Sequence, residues 1–138
     1  ATSPSGGDHM LSHLPPRSMK NTVGMCFFLR YDDPKMLDIV NAVTGWDMSQ
    51  QELADVGERS LAMARLFNER EGFTAKDDRL PQQAMRPHVS GPLSKVRLDE
   101  DDLRAQVGAY YAGRGWDDAG HPKRETLERL GITEYAPS

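Results

Sequence analysis

The chain has 138 residues, of which 38% are hydrophobic and 28% are charged, and its formal net charge is −4 at pH 7. This length suits about one domain with a sizeable core. The sequence contains no basic block and no apolar run of membrane-spanning length, so it favours neither a nucleic acid nor a membrane as a partner.

Residues 1–20 are rich in serine, glycine and proline and predict a loop, because the pair Pro15–Pro16 opposes a helix. The sequence starts at Ala1 without an initiator methionine. Either a vector remnant or the cut edge of a longer polypeptide accounts for that start.

A first helix is predicted after this loop. Asp32 or Asp33 suits its N-cap, Pro34 suits its first turn and Gly45 ends it. The segment "MCFFLRY" just before it is compatible with a short extended piece, although no strand-like alternation lasts longer than a few residues.

The longest helix is predicted between Ser49 and Gly72. Ser49 and Glu52 form an S-x-x-E capping box, and Gly72 suits the position after the helix end. Arg65 and Glu69 form an i,i+4 pair, which we expect on a solvated or interdomain face.

Two shorter helices complete the pattern. One runs from about Asp99 to Gly113 behind an acidic first turn, and one covers Arg124–Leu130, where Lys123 is a poor N-cap that should cost about 1 kcal/mol. The sequence therefore predicts an all-α fold, a single irregular helical domain with long loops over residues 1–138.

Cys26 is the only cysteine, so an internal disulfide is excluded and a cytoplasmic location is expected. It stands close to glycine and phenylalanine. Taken alone, these neighbours favour a small buried core residue over a reactive thiol or metal ligand.

The four histidines are scattered, and no two are expected at i,i+4 on a helix, as a zinc-protease motif requires. A zinc site made from them and Cys26 is therefore not suggested. The acidic pair Asp77–Asp78 is interpreted as loop polarity, and the run at 99–102 as charge at a helix N-terminus. The histidines are His9, His13, His88 and His121.

Four stretches, in the same order, resemble the carboxy-terminal domain of the tungsten-containing aldehyde ferredoxin oxidoreductase family. They are "ATSPSGGDH", similar to A-T-S-P-R-G-x-x-H; "NTVGMCFF", similar to D-x-x-G-L-C; "VGERSLAMARLFNEREGFTAKDDRLP"; and "YYAGRGWDDAGHPKRETLERLGI". Together they cover well over half of the chain. The resemblance implies that the chain is a fragment of a larger enzyme.

The family carries tungsten, or sometimes molybdenum, on two pterins, with a [4Fe-4S] cluster close by. Four thiolates hold such a cluster. The resemblance places Cys26 at the fourth ligand position, the other three being supplied by an upstream C-x-x-C-x-x-x-C segment that this chain lacks. Glu58 and Arg59 are expected to be available for interdomain or cofactor-side contacts.

The same segment binds a pterin in the family, which implies pterin contacts for Asn21, Gly24 and Met25. Gly24 matches a glycine that permits close backbone approach, and Met25 replaces leucine. Asn21 replaces an aspartate that accepts two hydrogen bonds from the pterin ring, and an amide cannot accept in the same way.

His9 matches the family histidine near the metal, where it is implied to donate a proton or hydrogen bond to the substrate oxygen. A loop histidine in water is the alternative. Ser5 stands where the family has arginine. His9 and Cys26 are only 17 positions apart, so we expect either that a connecting segment is deleted or that residues between them are absent from this sequence.

The resemblance thus implies residues 1–31 as a cofactor-facing segment and 32–138 as a helical body. The full enzyme is expected to oxidise small aldehydes to carboxylic acids with a ferredoxin-like acceptor, while the isolated chain is inactive and its remaining domains supply the other ligands. The alternative is a non-enzymatic binding or scaffold module that keeps the family fold without the cofactors.

Overall fold

The computed structural model describes residues 6–26, 28–87, 89–95 and 98–136, and within them it contains α-helices and no strand. The five α-helices are α1 Gly6–Thr22, α2 Asp33–Thr44, α3 Gln50–Arg70, α4 Glu100–Gly113 and α5 Arg124–Leu130. Two short 3-10 helices cover Pro92–Lys95 and Thr133–Tyr135. The predicted all-α class is confirmed. Ser5 and His88 lie outside the described residues.

The local signals set the boundaries of α2 and α3. Asp32 accepts a hydrogen bond from the backbone N–H of Lys35, and Gly45 ends α2 in the left-handed conformation. At α3, the side chain of Ser49 bonds the backbone of Glu52 and that of Glu52 bonds back, so the predicted capping box is confirmed.

The predictions for α4 and α5 are also confirmed. Asp99 caps α4 by accepting from the backbone N–H groups of Asp101 and Asp102. Lys123 precedes α5 without a side-chain cap, and Gly131 ends that helix in the left-handed conformation.

The prediction of a loop over residues 1–20 is wrong from Gly6 onward, because α1 continues through Pro15 and Pro16. A proline inside a helix costs about 3 kcal/mol locally. Here Pro15 is buried against α3, where Gly57 leaves the room that its carbonyl needs. Packing between distant segments thus outweighs the local preference.

The helix α3 is the centre of the fold, because it contacts α1, α2 and α5, while α4 packs on α1. Two buried clusters lie along it. At its start, Leu53 packs with Met19 and Met36, and toward its end it packs against α5. The second cluster consists of Ala62, Leu66, Leu127, Leu130 and Ile132.

Glu58 and Arg59, for which interdomain or cofactor-side contacts are expected, also make contacts within the domain. Glu58 accepts a hydrogen bond from Arg114 at 2.7 Å, and the Nε of Arg59 donates to the carbonyl of Leu130 at 2.8 Å. No helix among the described residues is long and apolar enough to cross a membrane.

Candidate functional site

The segment with the lone cysteine follows the last turn of α1. The N–H of Met25 donates to the carbonyl of Lys20 at 2.9 Å, and that of Gly24 to Asn21 at 3.1 Å. Gly24 has a φ of +72°, and no atom lies within 4 Å of where its Cβ would be. A glycine is needed for this turn because other residues rarely adopt that φ.

The thiol of Cys26 is exposed, so its interpretation as a buried core residue is wrong. The backbone around it is held in place: the N–H of Leu29 donates to the carbonyl of Cys26 at 3.1 Å, and the Nζ of Lys20 donates to the carbonyl of Tyr31 at 2.7 Å. A thiol presented on such a fixed turn is accessible to a ligand or another polypeptide segment.

Asn21 and Met25 differ in their surroundings. Asn21 is exposed on the last turn of α1, beside the turn at Gly24. Met25 is half-buried and packs on the cluster of Met19 and Met36. The side chain of Met25 therefore anchors the segment, whereas Asn21, Gly24 and Cys26 face outward.

The chain can supply one thiolate ligand of an iron–sulfur cluster and not the full set. A [4Fe-4S] cluster takes four thiolates, and the chain has one cysteine. Among the described residues no three histidine, cysteine, aspartate or glutamate side chains are grouped so that they could hold a metal ion. Cys26 fits such a cluster only if other thiolates come from outside this chain.

His9 and His13 lie at i,i+4 on α1, which corrects the expectation that no two histidines share a helix. Their rings stack with centroids 4.0 Å apart. The Nδ1 of His13 is 3.0 Å from the carbonyl oxygen of His9, a distance suited to a hydrogen bond from that nitrogen. This contact orients the ring of His13, on which the ring of His9 stacks.

The structure does not bring His9 and Cys26 together. The helical stretch from His9 to Thr22 is about 20 Å long at a rise of about 1.5 Å per residue, and Cys26 lies beyond its far end. His9 and the segment Asn21–Cys26 therefore form two separate candidate sites at opposite ends of one helix.

His9 is among the residues that line a cleft bounded by α1, α3, α4 and the segment 75–86. Its volume of about 1710 Å³ exceeds that of typical enclosed ligand pockets, so it is an open groove. Its floor is largely apolar and is made from helix residues: Leu14, Leu61, Leu103 and Val107.

One wall of the cleft holds a charged cluster centred on Arg65, which is only 6% exposed. Its Nη1 donates to Asp78 at 2.7 Å and its Nε is 3.2 Å from Glu69. The hydroxyl of Tyr111 donates to the same oxygen of Asp78, and the Nδ1 of His121 is 3.1 Å from Glu69.

Burial lowers the pKa of Arg65, but the hydrogen bond and charge of Asp78 outweigh it and raise that pKa overall. Burial, and then the hydrogen bond to Asp78, raise the pKa of Tyr111 to about 12. Both groups thus keep their ordinary charge state at neutral pH.

Sequence reasoning missed this cluster. The i,i+4 pair of Arg65 and Glu69 is present. Of the two surroundings predicted for it, a solvated or an interdomain face, the solvated one is wrong, because both side chains are buried. Asp78 was interpreted as loop polarity, whereas it is the partner of Arg65. The adjacent carboxylates of Asp77 and Asp78 were the one hint in the sequence. Asp77 accepts a hydrogen bond from the backbone N–H of Thr74 within the turn, so Asp78 is left to bind a partner outside it.

A family model described as "Aldehyde ferredoxin oxidoreductase, domains 2 & 3" matches residues 10–132. The chain is 36% identical over 123 residues to a tungsten-containing aldehyde ferredoxin oxidoreductase of Pyrococcus furiosus. It is 37% identical over 123 residues to that of Thermococcus kodakarensis. Each alignment covers 83% of this chain and 19% of the relative, so the chain spans about a fifth of these relatives.

Two further comparisons cover 97% of this chain. An aliphatic sulfonate oxidoreductase, WOR-like subunit, of Pyrococcus furiosus is 29% identical over 150 residues, which are 24% of its length. The active-site complex of benzoyl coenzyme A reductase with 1,5-dienoyl-CoA has a TM-score of 0.75 at 20% identity, with 21% of that chain covered. At this identity the structural likeness shows the fold alone.

Proposed function

The chain belongs to the aldehyde ferredoxin oxidoreductase family, as its carboxy-terminal domain type, and we propose that it forms part of an oxidoreductase with a tungsten or molybdenum bis-pterin and a [4Fe-4S] cluster. The family match over residues 10–132 supports this proposal, as do relatives whose names state that they contain tungsten. The cytoplasmic location expected from the single cysteine stays a prediction.

The exposed thiol of Cys26 is the observation that carries the proposal. We assign it as one ligand of the cluster, with the other thiolates supplied by the remaining domains of the enzyme. A thiolate must be reached by the iron, and the turn at Gly24 leaves Cys26 facing outward rather than into the core. The isolated chain is accordingly expected to be inactive and to hold no stoichiometric iron.

The pterin contacts are assigned to the same segment, Asn21–Cys26. The backbone at Gly24 is open to a flat ring, because no atom lies within 4 Å of its missing Cβ. Asn21 offers its amide there, both as donor and as acceptor. Met25 is assigned to the same pterin contacts, and its packing on the core also fixes this segment.

His9 is assigned to the substrate. Its exposed imidazole in the cleft lining can donate a hydrogen bond or a proton to a carbonyl oxygen, and the ring of His13 limits its rotation. We expect His9→Gln in the native protein to lower kcat with unchanged iron content. An unchanged kcat would remove His9 from the catalytic residues.

The proposed reaction converts an aldehyde and water into a carboxylic acid, two protons and two electrons. When bound, the metal centre would accept the two electrons, and the cluster would pass them singly to a ferredoxin-like acceptor. The relatives' names include both an aldehyde and an aliphatic sulfonate enzyme, so the substrate of this chain's enzyme is proposed as a small aldehyde and awaits assay.

A second candidate function is a non-enzymatic binding or scaffold module with the family fold. The observation in its favour is Asn21, which is exposed at the position of the family's carboxylate and would weaken the ordinary pterin contacts.

The metal content and the activity of the native protein that contains this chain distinguish the two candidate functions. We expect it, once purified without oxygen, to contain tungsten or molybdenum and to reduce ferredoxin when an aldehyde is added. Protein of the native mass without either metal and without aldehyde-dependent reduction would favour the scaffold module and contradict the enzyme.

A further inference from the structure

The Arg65 cluster joins two connecting segments to the helical body. Arg65 lies on α3, and its Nη1 donates to Asp78 of the 74–80 loop at 2.7 Å. Its Nε and Nη2 donate to the carbonyls of Gly120 and Ala119, in the 117–121 turn, at 2.9 and 3.3 Å. A single guanidinium thus holds two segments that are more than 35 residues apart in the sequence.

The packing around this guanidinium is specific for arginine and glycine. The Arg65 Cζ lies 5.6 Å from the ring centre of Tyr111 and 5.7 Å from that of Trp116. Gly120 has a φ of +81°, and a Cβ there would collide with Nη2 of Arg65 and with the ring of Tyr111. The turn therefore packs directly against the guanidinium, and a residue larger than glycine at position 120 would prevent this contact.

The 74–80 loop faces the cleft that His9 also lines. We propose that Arg65 is a positioning residue that fixes the 74–80 loop and the 117–121 turn on α3 and so sets the width of this cleft. Asp78 transmits the effect, because its carboxylate is bound by Arg65 and by the hydroxyl of Tyr111. The link to substrate rests on the proposed role of His9.

A lysine cannot replace Arg65 in this arrangement. Three nitrogens of the guanidinium point to four acceptors on α3, the loop and the turn, whereas a lysine ammonium presents its donors from one atom. Arg65→Lys keeps the positive charge beside Glu69 and Asp78 but cannot reach both segments. The variant therefore separates charge from geometry.

The test uses the native protein with Arg65→Lys and, as matched control, Arg59→Lys. Arg59 also lies on α3 and also donates to a distant carbonyl, that of Leu130, but it lies outside the cleft lining. Amide hydrogen exchange reports the two segments locally, and KM and kcat for an aldehyde report the cleft.

In Arg65→Lys we expect amides of the 74–80 loop and the 117–121 turn to exchange about tenfold faster, since a lost bond to a charged group is worth at least that factor. The amide of Leu127 in α5 should keep its rate, and KM should rise more than kcat falls. Arg59→Lys should leave the exchange rates of both segments unchanged.

Uniformly faster exchange over the whole chain in Arg65→Lys would overturn the proposal, because the residue would then support stability alone. Faster exchange confined to the two segments with an unchanged KM would overturn the link to the cleft. If the wild-type protein shows no aldehyde activity, the proposed function fails by itself, and the exchange pattern still decides whether Arg65 positions the two segments.

Discussion

Tyr111 shows how one hydroxyl depends on its surroundings. It is 5% exposed, and its hydroxyl donates to Asp78 in the Arg65 cluster. Burial disfavours a phenolate, and deprotonation would also place it against that carboxylate, so the pKa rises to about 12. A group of this kind stabilises the fold while it is protonated.

The pH dependence follows from that shift. The folded pKa of Tyr111 lies above its unfolded value of 10.0, so its contribution is complete below pH 10 and is lost as the pH rises toward 12. Across this range we expect the free energy of unfolding of the wild type to fall by an amount on the order of 2 kcal/mol through this group. Tyr111→Phe should not show this loss. Urea unfolding at intervals from pH 9 to 12 measures it, and parallel curves for wild type and variant would contradict the assignment.

Gly57 is needed where α1 crosses α3. A Cβ there would collide with the backbone carbonyl of Pro15, and backbone atoms cannot move as a side chain can. We expect Gly57→Ala to lower the free energy of unfolding by about 2 kcal/mol or more.

A matched control lies on α4. Gly108 is also helical, but no atom lies within 4 Å of where its Cβ would be. Gly108→Ala should raise the free energy of unfolding by about 0.5–1 kcal/mol, because alanine favours a helix. If both variants shift the denaturation midpoint in the same direction, the close crossing at Gly57 is wrong.

At the scale of the helices, α3 and α5 are the two extremes of N-terminal capping. The hydroxyl of Ser49 accepts from the N–H of Glu52 at 3.2 Å, whereas Lys123 provides no side-chain cap. Ser49→Ala should cost about 1 kcal/mol of stability, and Lys123→Ser should add about 0.5–1 kcal/mol. Thermal unfolding of both variants checks this, and a lower melting temperature for Lys123→Ser would refute the capping argument.

The helices that carry local signals were predictable from the sequence. Asp32, Ser49, Asp99 and the glycines after the helix ends mark α2 to α5, because caps act on neighbouring residues. The helix α1 was not predictable, since Pro15 and Pro16 oppose it locally and the compensating contact comes from α3. Helix packing across the fold decided that element.

The candidate sites divide in the same way. The resemblance implied roles for Cys26 and Gly24, which stay predictions. The positive φ of Gly24 explains why a glycine stands at its turn. The neighbours of Cys26 favoured a buried residue, and helical spacing favoured a solvated or interdomain face for Arg65; the structure shows an exposed Cys26 and an Arg65 that is not solvated. Their exposure depends on which distant segments pack over them: the 74–80 loop and the 117–121 turn cover Arg65, and no described segment covers Cys26.

At the scale of the molecule, the chain leaves large apolar side chains exposed. Phe28 is 87% exposed, Val43 81% and Trp46 63%. We propose that such residues belong to a contact surface for other domains. The chain also spans about a fifth of its curated relatives, so the rest of a polypeptide of that length is a suitable cover.

The central claim is that the thiol of Cys26 is shared with that remainder as a cluster ligand. The most direct measurement is the iron content per polypeptide of the native protein, purified without oxygen, for wild type, Cys26→Ala and the neighbouring control Thr22→Ala. We expect about four irons in wild type and control, and clearly fewer in Cys26→Ala, which offers no ligand atom. Undiminished iron in Cys26→Ala would contradict the claim.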